Sequence, residues 1–269
     1  MAKKDSLLEK IKKSFSPQEP ISKKAYITLA VISFAAIIAT WLILTETGKV
    51  NELFLPAPVK TIKAAIQLFL SQGYINDIGM STFRVMTGFF ISVAIAVPVG
   101  ILVGVYGPFE AVVEPVMSFI RYLPASAFIP LFILWIGIDE PEKIAVIIIG
   151  SLPQLILMIA VCTRNVSHDL IEVSYTLGTK KSQVLYKIIL PSSLPSILDA
   201  LRMVLGWAWT YVIVAEMVGA SSGIGHMTIQ SQRMLNVANI FVGILTIGFL
   251  GLLFDYIFKW LDKLLFKWK

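Results

Sequence analysis

The sequence predicts an all-α membrane protein with six transmembrane helices. Of its 269 residues, 57% are hydrophobic and only 15% are charged, and the mean hydropathy is +0.79. This composition is typical of integral membrane proteins and not of soluble domains. A helix needs roughly 18–25 apolar residues to cross the hydrocarbon core. By that test the predicted spans are about Tyr26–Leu44, Phe83–Tyr106, Val116–Gly137, Ile144–Cys162, Ile197–Gly219 and Ile240–Trp260.

The placement of lysine and arginine predicts the orientation of these spans. The N-terminal tail, the connection between the fourth and fifth spans, and the C-terminus are rich in lysine and arginine, whereas the remaining connections hold few of either. Basic residues stay on the cytoplasmic side of a membrane. We therefore expect residues 1–25 to form a basic cytoplasmic tail and residues 26–269 a single transmembrane domain with both termini in the cytoplasm. The net charge of +6 then reflects topology and requires no nucleic-acid partner.

The first span is expected to be retained and not cleaved as a signal peptide. Its apolar run is longer than the hydrophobic region of a usual signal peptide, and no A-x-A cleavage signature follows it. The chain is accordingly expected in the cell inner membrane, surrounded by lipid.

A charged segment, Ile171–Pro191, separates two long apolar blocks. Because polar backbone and ammonium groups are costly in hydrocarbon, this segment must lie in water. Asp169 and Glu172 are placed in the first turn of a helix, where carboxylates favour the exposed N–H groups. Gly178 permits the left-handed backbone that ends this helix.

A second short helix is predicted after this glycine. Thr179 is expected to cap it, and Pro191 and Pro195 are expected to stop it. Its apolar side chains recur on one face, as in an amphipathic helix; they are Val184, Leu185, Ile188 and Ile189.

The same segment resembles a cytoplasmic loop in the membrane subunits of binding-protein-dependent ABC importers. That loop reads E-A-A, three residues, G, nine residues, I-x-L-P. The matching positions here are Glu172, Gly178, Ile188, Leu190 and Pro191, while Val173 and Ser174 replace the two alanines. The alternative is an ordinary amphipathic hairpin at the membrane surface.

The resemblance implies that residues 163–195 form a coupling loop that docks on a cytoplasmic ATPase. ATP and Mg²⁺ would then be bound by that partner, and no cofactor is expected on this chain. The residues that the resemblance assigns to coupling are Glu172, Leu177, Gly178, Lys180, Lys181, Leu190 and Pro191.

Three further stretches resemble the nitrate, sulfonate, taurine and bicarbonate branch of these importers. They are Phe54–Ile62, Arg121–Ile144 and Leu201–Met227. The resemblance implies a permease for a small anionic or zwitterionic solute, with an extracytoplasmic substrate-binding protein as a partner. Six helices are few for enclosing a gated path, so a second permease copy, most simply in a homodimer, is also expected.

Candidate residues of the substrate pathway lie near a predicted break in the third span. Pro124 and Pro130 each remove a helical N–H, and broken helices at membrane depth usually line a cavity or pack against protein. Arg121 is a candidate contact for an anion; the alternative is a cationic anchor at the cytoplasmic end of the span.

The fifth span supplies two more candidates, Trp207 and Glu216. A carboxylate within a membrane is a functional candidate by default, but a salt bridge between Glu216 and Arg84 of the second span is the alternative. Trp207 is either a pathway residue or an interior packing residue.

Outside the spans, Pro58 is expected to open a short amphipathic helix that lies at the interface. Its apolar residues share one face and are Val59, Ile62, Ala65, Ile66 and Phe69. In the importer family this region helps to dock a binding protein; the alternative is a linker that packs on the span ends.

Enzyme activity is not expected of this chain. It has no G-x-x-x-x-G-K-[ST] phosphate loop, no H-E-x-x-H motif and a single cysteine, Cys162. Gly219–Gly223 matches G-x-S-x-G, but it follows a helix where a hydrolase needs a strand, and His226 is too close to Ser221 to form a Ser–His pair. The alternatives to an importer permease are a secondary transporter or channel and, remotely, an intramembrane serine protease.

Overall fold

The computed structural model describes residues 21–71 and 73–267, which form helices and no strand. The predicted basic tail therefore lies largely outside the described residues. In chain order the helices are α1 (Lys23–Glu46), α2 (Pro58–Ser71), α3 (Tyr74–Val105), α4 (Gly107–Ile120), a 3₁₀ turn (Ala125–Phe128), α5 (Ile129–Ile136), α6 (Glu140–Arg164), α7 (His168–Thr176), α8 (Lys181–Val184), a π turn (Leu185–Ile189), α9 (Leu190–Gly219), α10 (Ile224–Arg233) and α11 (Val237–Leu265).

Five of these helices are long and apolar enough to cross a membrane, and a bent pair would provide a sixth crossing. The single helices are α1, α3, α6, α11 and the continuous run Lys181–Gly219; the bent pair joins α4 to the segment Ala125–Ile136. The predicted all-α class with six spans is confirmed in this form. Except in the bent pair, each predicted span lies within its longer observed helix, apart from Tyr106, which follows the last residue of α3.

The chain forms two compact units, one through Lys60 and one from Thr61 onward. In the first unit, Ser22 caps α1 by accepting a hydrogen bond from the N–H of Ala25. The indole N–H of Trp41 donates to the carbonyl of Pro56 at 2.9 Å, which ties the end of α1 to the loop that follows. Helix α2 begins at Pro58 as predicted.

Small residues on α3 allow close approach of α6 in the centre of the second unit. They recur at every fourth position, as Gly88, Ser92, Ala96, Gly100 and Gly104. A Cβ at Gly100 would lie only 2.8 Å from the Cβ of Ile159, and a Cβ at Gly104 would overlap Thr163. Helices in lipid associate without a hydrophobic driving force, and small side chains allow the close van der Waals packing that holds them together instead. The two helices are thus joined by near-backbone packing.

The predicted third span, Val116–Gly137, corresponds to a bent pair of helices that begins earlier, at Gly107, and the chain bends by 84° between α4 and the segment Ala125–Ile136. Pro124 has extended backbone, with ψ at 122°, and a residue before a proline is disfavoured in helical conformation. The expectation of a proline-induced break is confirmed. After it, Ala125 and Ile129 pack against Val146 of α6 and Ala215 of α9.

Pro191 and Pro195 do not stop the second short helix, which corrects the sequence prediction. The π turn precedes Pro191, and within it the N–H of Leu190 donates to the carbonyl of Leu185, five residues earlier. A π turn adds one residue to the helix and re-spaces the carbonyls that a proline ring would otherwise meet. The helix therefore continues from Lys181 to Gly219.

Candidate functional site

The hairpin, residues His168–Val184, turns at Gly178. The backbone of Gly178 is left-handed, with φ at 78°. Its N–H donates to the carbonyl of Tyr175 at 3.0 Å, and the N–H of Thr179 donates to the carbonyl of Ser174 at 3.0 Å. This is the Schellman pattern, in which a left-handed residue satisfies the last carbonyls of a helix. The helix-ending, left-handed conformation predicted for Gly178 is confirmed, and its role in coupling stays a prediction.

Two details of the hairpin differ from the sequence prediction. Asp169 lies in the first turn of α7, but Glu172 lies one turn further on. Thr179 does not cap the next helix: Lys180 occupies the N-cap position and α8 begins at Lys181. The carbonyl of Lys180 accepts hydrogen bonds from the N–H groups of Gln183 and Val184, so the first intrahelical bonds start from Lys180 and not from Thr179.

The hairpin exposes one set of apolar side chains and buries another. Leu177 at the turn is 80% exposed, and Val173 on α7 and Tyr186 in the π turn that follows the hairpin are more than half exposed. The predicted apolar face of the second helix is directed inward: Val184, Leu185 and Ile189 are buried and Ile188 is half-buried. The inward face anchors the hairpin, and the exposed apolar tip has the character of an interaction site.

The seven residues assigned to coupling divide into two groups. Glu172, Leu177, Gly178, Lys180 and Lys181 lie on the exposed surface of the hairpin. Leu190 and Pro191 are half-buried at the start of α9, behind this surface. The first group surrounds an apolar side chain with charges of both signs, while the second shapes the helix that supports it.

A buried charge cluster lies at the other end of α9. The guanidinium of Arg84 has no exposed surface. Its Nε and Nη2 donate to the two carboxylate oxygens of Glu140, each at 2.6 Å. Its Nη1 donates to Glu216 Oε1 and to the carbonyl of Ser222, each at 2.7 Å. This arrangement joins α3, α6 and α9 through one planar fork, the geometry that suits Arg–carboxylate pairs.

Glu216 is also bonded on its remaining sides. Ser81 Oγ donates to its carboxylate at 2.7 Å, and the N–H of Gly225 donates to it at 2.8 Å. The predicted alternative, a salt bridge with Arg84, is confirmed, and the carboxylate is engaged entirely by protein groups. Sequence reasoning missed Glu140 as the bidentate partner. The signal was available, because the predicted topology puts Arg84, Glu140 and Glu216 near the same side of the membrane.

The start of α10 is held by the same cluster. The N–H of Gly223 donates to Asp77 Oδ1 at 2.7 Å, and the N–H of Ile224 donates to Ser81 Oγ at 2.9 Å. Carboxylates stabilise a helix N-terminus through its free N–H groups and its dipole. The Gly219–Gly223 stretch is therefore a structural turn between two helices, as the rejection of a hydrolase motif predicts.

Arg121 lies at the far end of α4 from the hairpin. The near end is marked by Arg164 at the end of α6, whose guanidinium pairs with Glu110 at 3.2 Å and Glu114 at 2.9 Å. Helix α4 has 14 residues, a rise of about 21 Å. Arg121 is consequently about 20 Å along α4 from Gly107, and both interpretations, an anion contact and a cationic anchor, stay predictions.

The guanidinium of Arg121 is exposed beside the bend between α4 and the 3₁₀ turn. It lies 5.0 Å from the ring centre of Tyr122, and its Nη2 donates to the Tyr122 hydroxyl at 3.2 Å. Of the ion pairs formed within residues 21–71 and 73–267, none involves Arg121. Pro124 is exposed at the break, and Trp207 is 41% exposed on α9.

Comparisons with known proteins point to one class. Residues 96–267 match the family described as binding-protein-dependent transport system inner membrane component. A probable ABC transporter permease protein of Brucella abortus (strain 2308) is 38% identical over 90% of this chain and 95% of its own length. A putative aliphatic sulfonates transport permease protein of Bacillus subtilis (strain 168) is 34% identical over 87% of this chain and 85% of its own length.

A solved structure of the MetNI methionine ABC transporter in an inward-facing conformation shares the fold. The TM-score is 0.62 at 20% identity, and the alignment covers 71% of this chain and 94% of that chain. The predicted branch is confirmed, since relatives also include taurine and bicarbonate transport permeases.

Proposed function

Because this chain belongs to the family of binding-protein-dependent transport system inner membrane components, we propose that it is the permease subunit of an ABC importer, that it carries a small anionic or zwitterionic solute, and that its hairpin couples transport to ATP hydrolysis on a separate ATPase. The chain itself is a multi-pass transport permease and not an enzyme. Its partners in this proposal are ATPase subunits that bind ATP and Mg²⁺, an extracytoplasmic substrate-binding protein and a second permease copy.

The observation that carries the coupling proposal is the exposed apolar tip of the hairpin. Leu177 is 80% exposed, while Glu172, Lys180 and Lys181 stand exposed around it. An apolar centre with a polar rim is the usual anatomy of a protein interface. The second arm of the hairpin continues without interruption into the spanning helix that ends at Gly219. The position of the exposed tip is therefore fixed relative to that helix.

The same proposal places the hairpin and both chain termini in the cytoplasm of a cell whose inner membrane holds the protein. With the bent pair counted as one crossing, the chain crosses the membrane six times and returns to the side on which it starts. The proposal therefore puts both termini on the side of the hairpin, which follows the fourth crossing. The lysine and arginine distribution supports this orientation.

Replacing Leu177 with serine tests the coupling proposal. The change removes the apolar tip without altering a buried residue, so the permease should still insert and fold. Loss of a well-placed apolar contact weakens association by about 1–2 kcal/mol, or roughly tenfold. We expect reduced retention of the ATPase on the purified permease and slower solute uptake in proteoliposomes.

The matched control is Leu53→Ser, the same change at an exposed leucine outside the hairpin. It should retain the ATPase as the unmodified protein does. Equal retention of the ATPase by Leu177→Ser and by the unmodified permease would remove the hairpin from the coupling interface.

The anion proposal is supported by the position of Arg121 and by the sulfonate, taurine and bicarbonate relatives. The exposed guanidinium of Arg121, beside the bend that follows α4, has no carboxylate partner within 4 Å in the part of the chain that the structure describes. Its planar fork matches the geometry of an oxyanion. A carrier must also release its cargo, and one such contact is compatible with release.

Transport by Arg121→Lys and Arg121→Gln variants tests this role. Lysine keeps the charge but loses the fork, and glutamine loses both, so uptake of an anionic solute should fall in the order Arg, Lys, Gln. Arg164→Gln, which removes an exposed and paired arginine at the hairpin end, is the control. Uptake by Arg121→Gln at the unmodified rate would leave Arg121 without a transport role. Preference of the binding protein for a neutral or cationic solute would contradict the anion proposal itself.

A further inference from the structure

A strained turn joins α10 to α11. Leu235 has φ at 55°, and it is the one residue other than glycine with positive φ among residues 21–71 and 73–267. Its N–H donates to the carbonyl of Gln232 at 3.0 Å, and the N–H of Asn236 donates to the carbonyl of Ser231 at 2.8 Å. These bonds form the same Schellman pattern that Gly178 closes in the hairpin, but here with leucine in the position that glycine usually occupies. The left-handed conformation is strained for a leucine, because its Cβ lies too close to the following carbonyl oxygen.

The strained turn also exposes two large apolar side chains. Leu235 is 74% exposed and Met234 is 77% exposed. Their neighbours Arg233 and Asn236 are exposed as well. The turn is held at its far side by Asn236, whose Oδ1 accepts a hydrogen bond from the N–H of Asn239 at the start of α11. The strained conformation holds two apolar side chains in a defined, exposed position. Backbone strain in proteins clusters at active sites and ligand-binding sites.

The turn lies beyond the charge cluster, on the side away from the hairpin. Helix α10 starts at the cluster and has ten residues, about 15 Å. It packs on α11, where Thr228 adjoins Gly243 and Ile224 groups with Val242. Because the connection between the two helices is short, they run antiparallel, and the turn projects about 9 Å past Val242.

We propose that Met234 and Leu235 form an apolar docking contact for the extracytoplasmic binding protein on which this family depends. This inference rests on the proposed function. The partner surface is an apolar depression that receives the two side chains, with an acidic group placed to pair with Arg233. Insertion of the turn into lipid is disfavoured by the flanking Arg233, Gln232 and Asn236, which are all exposed and would be desolvated by hydrocarbon.

Three substitutions of Leu235 separate docking from folding. Leu235→Gly and Leu235→Asn relieve the strain, since both residues tolerate left-handed backbone, but they remove the apolar side chain. Leu235→Met keeps an apolar side chain and the strain. A purely structural turn would be improved by Gly and Asn, whereas a docking contact would be lost.

The measurement is ATP hydrolysis by the complete permease–ATPase complex in nanodiscs, titrated with the binding protein of the same importer. We expect the half-saturating concentration of binding protein to rise about tenfold for Gly and Asn and by less than threefold for Met. The thermal unfolding midpoint of the Gly variant should be no lower than that of the unmodified complex. Unchanged half-saturation in both Gly and Asn variants overturns the docking inference. Absence of any stimulation of the unmodified complex instead overturns the proposed function.

A nitroxide attached beside the turn, at the exposed position 232 on a Cys162→Ser background, leaves Met234 and Leu235 intact and distinguishes protein docking from lipid insertion. Docking predicts high accessibility to a water-soluble nickel chelate that falls when binding protein is added. Higher accessibility to oxygen than to the chelate, with no response to binding protein, would show a lipid contact and overturn the inference.

Discussion

The hairpin and the charge cluster stand at opposite ends of one helix, and they are built in opposite ways. The hairpin forms from hydrogen bonds between near neighbours and leaves an apolar side chain in the open. The cluster joins residues 132 and 56 positions apart, Arg84 with Glu216 and with Glu140, and buries the charges of Arg84 and Glu216. An exposed, locally formed segment can exchange contacts with a partner while the core stays intact. A buried arginine that pairs with carboxylates of two other helices instead fixes how the three helices pack.

The first prediction compares two arginines from these two ends. Arg84→Leu leaves Glu216 buried without its cation, and breaking a buried pair by removing one partner destabilises a protein by about 3–5 kcal/mol. Arg164→Leu removes an arginine that is 39% exposed, and exposed pairs contribute about 0–1 kcal/mol. Chemical denaturation in detergent micelles should show the large loss only for Arg84→Leu. Similar losses for both variants would contradict the distinction.

The second prediction compares two glycines in which an added Cβ meets nothing within 4 Å, Gly178 and Gly248. Only Gly178 has positive φ, so matched alanine substitutions isolate the backbone effect. Gly178→Ala should destabilise the hairpin by about 1 kcal/mol, and Gly248→Ala, inside α11, should be neutral or stabilising by up to about 1 kcal/mol.

Because the hairpin forms locally, this loss should appear as faster amide hydrogen exchange in residues 168–184 and not as a shift in global unfolding. A global shift for Gly178→Ala equal to that of a core substitution would show that the hairpin and the core unfold together.

The third prediction concerns orientation and involves little change in stability. Single cysteines at the exposed positions 181 and 221, on a Cys162→Ser background, should be modified from opposite sides of the membrane. A membrane-impermeant reagent is expected to label position 221 in intact cells and position 181 only after permeabilisation. Labelling of both from outside would place the two ends on one side and contradict the membrane topology.

Sequence reasoning succeeded where structure depends on neighbours in the chain. The left-handed Gly178, the inward face of Val184 and Leu185, and the start of α2 at Pro58 all follow from periodicity and local backbone preferences. Its errors at Pro191 and Pro195 have a specific origin: a π turn changes the local carbonyl spacing, and nothing in the residue pattern announces it.

The remaining features depend on which helices meet. Small residues at every fourth position of α3 are visible in the sequence, but their partner α6 is not. The same applies to the charge cluster, where Arg84 could be paired in advance with Glu216 as an alternative, while its bidentate contact with Glu140 required the packing of α6. The bend at Pro124 was expected, yet its angle of 84° came only from the fold.

The uninterrupted helix from Lys181 to Gly219 makes the two ends mechanically continuous. From Lys181 to Glu216 it has a contour of about 50 Å, so a tilt of only about 5° about one end displaces the other by roughly 4–5 Å, as for any rod of that length. If the helix tilted as a rigid body, a small rotation at the hairpin would therefore move the carboxylate of Glu216 by more than the length of the hydrogen bond that joins it to Arg84. The hydrogen bonds of Arg84 would oppose such a tilt.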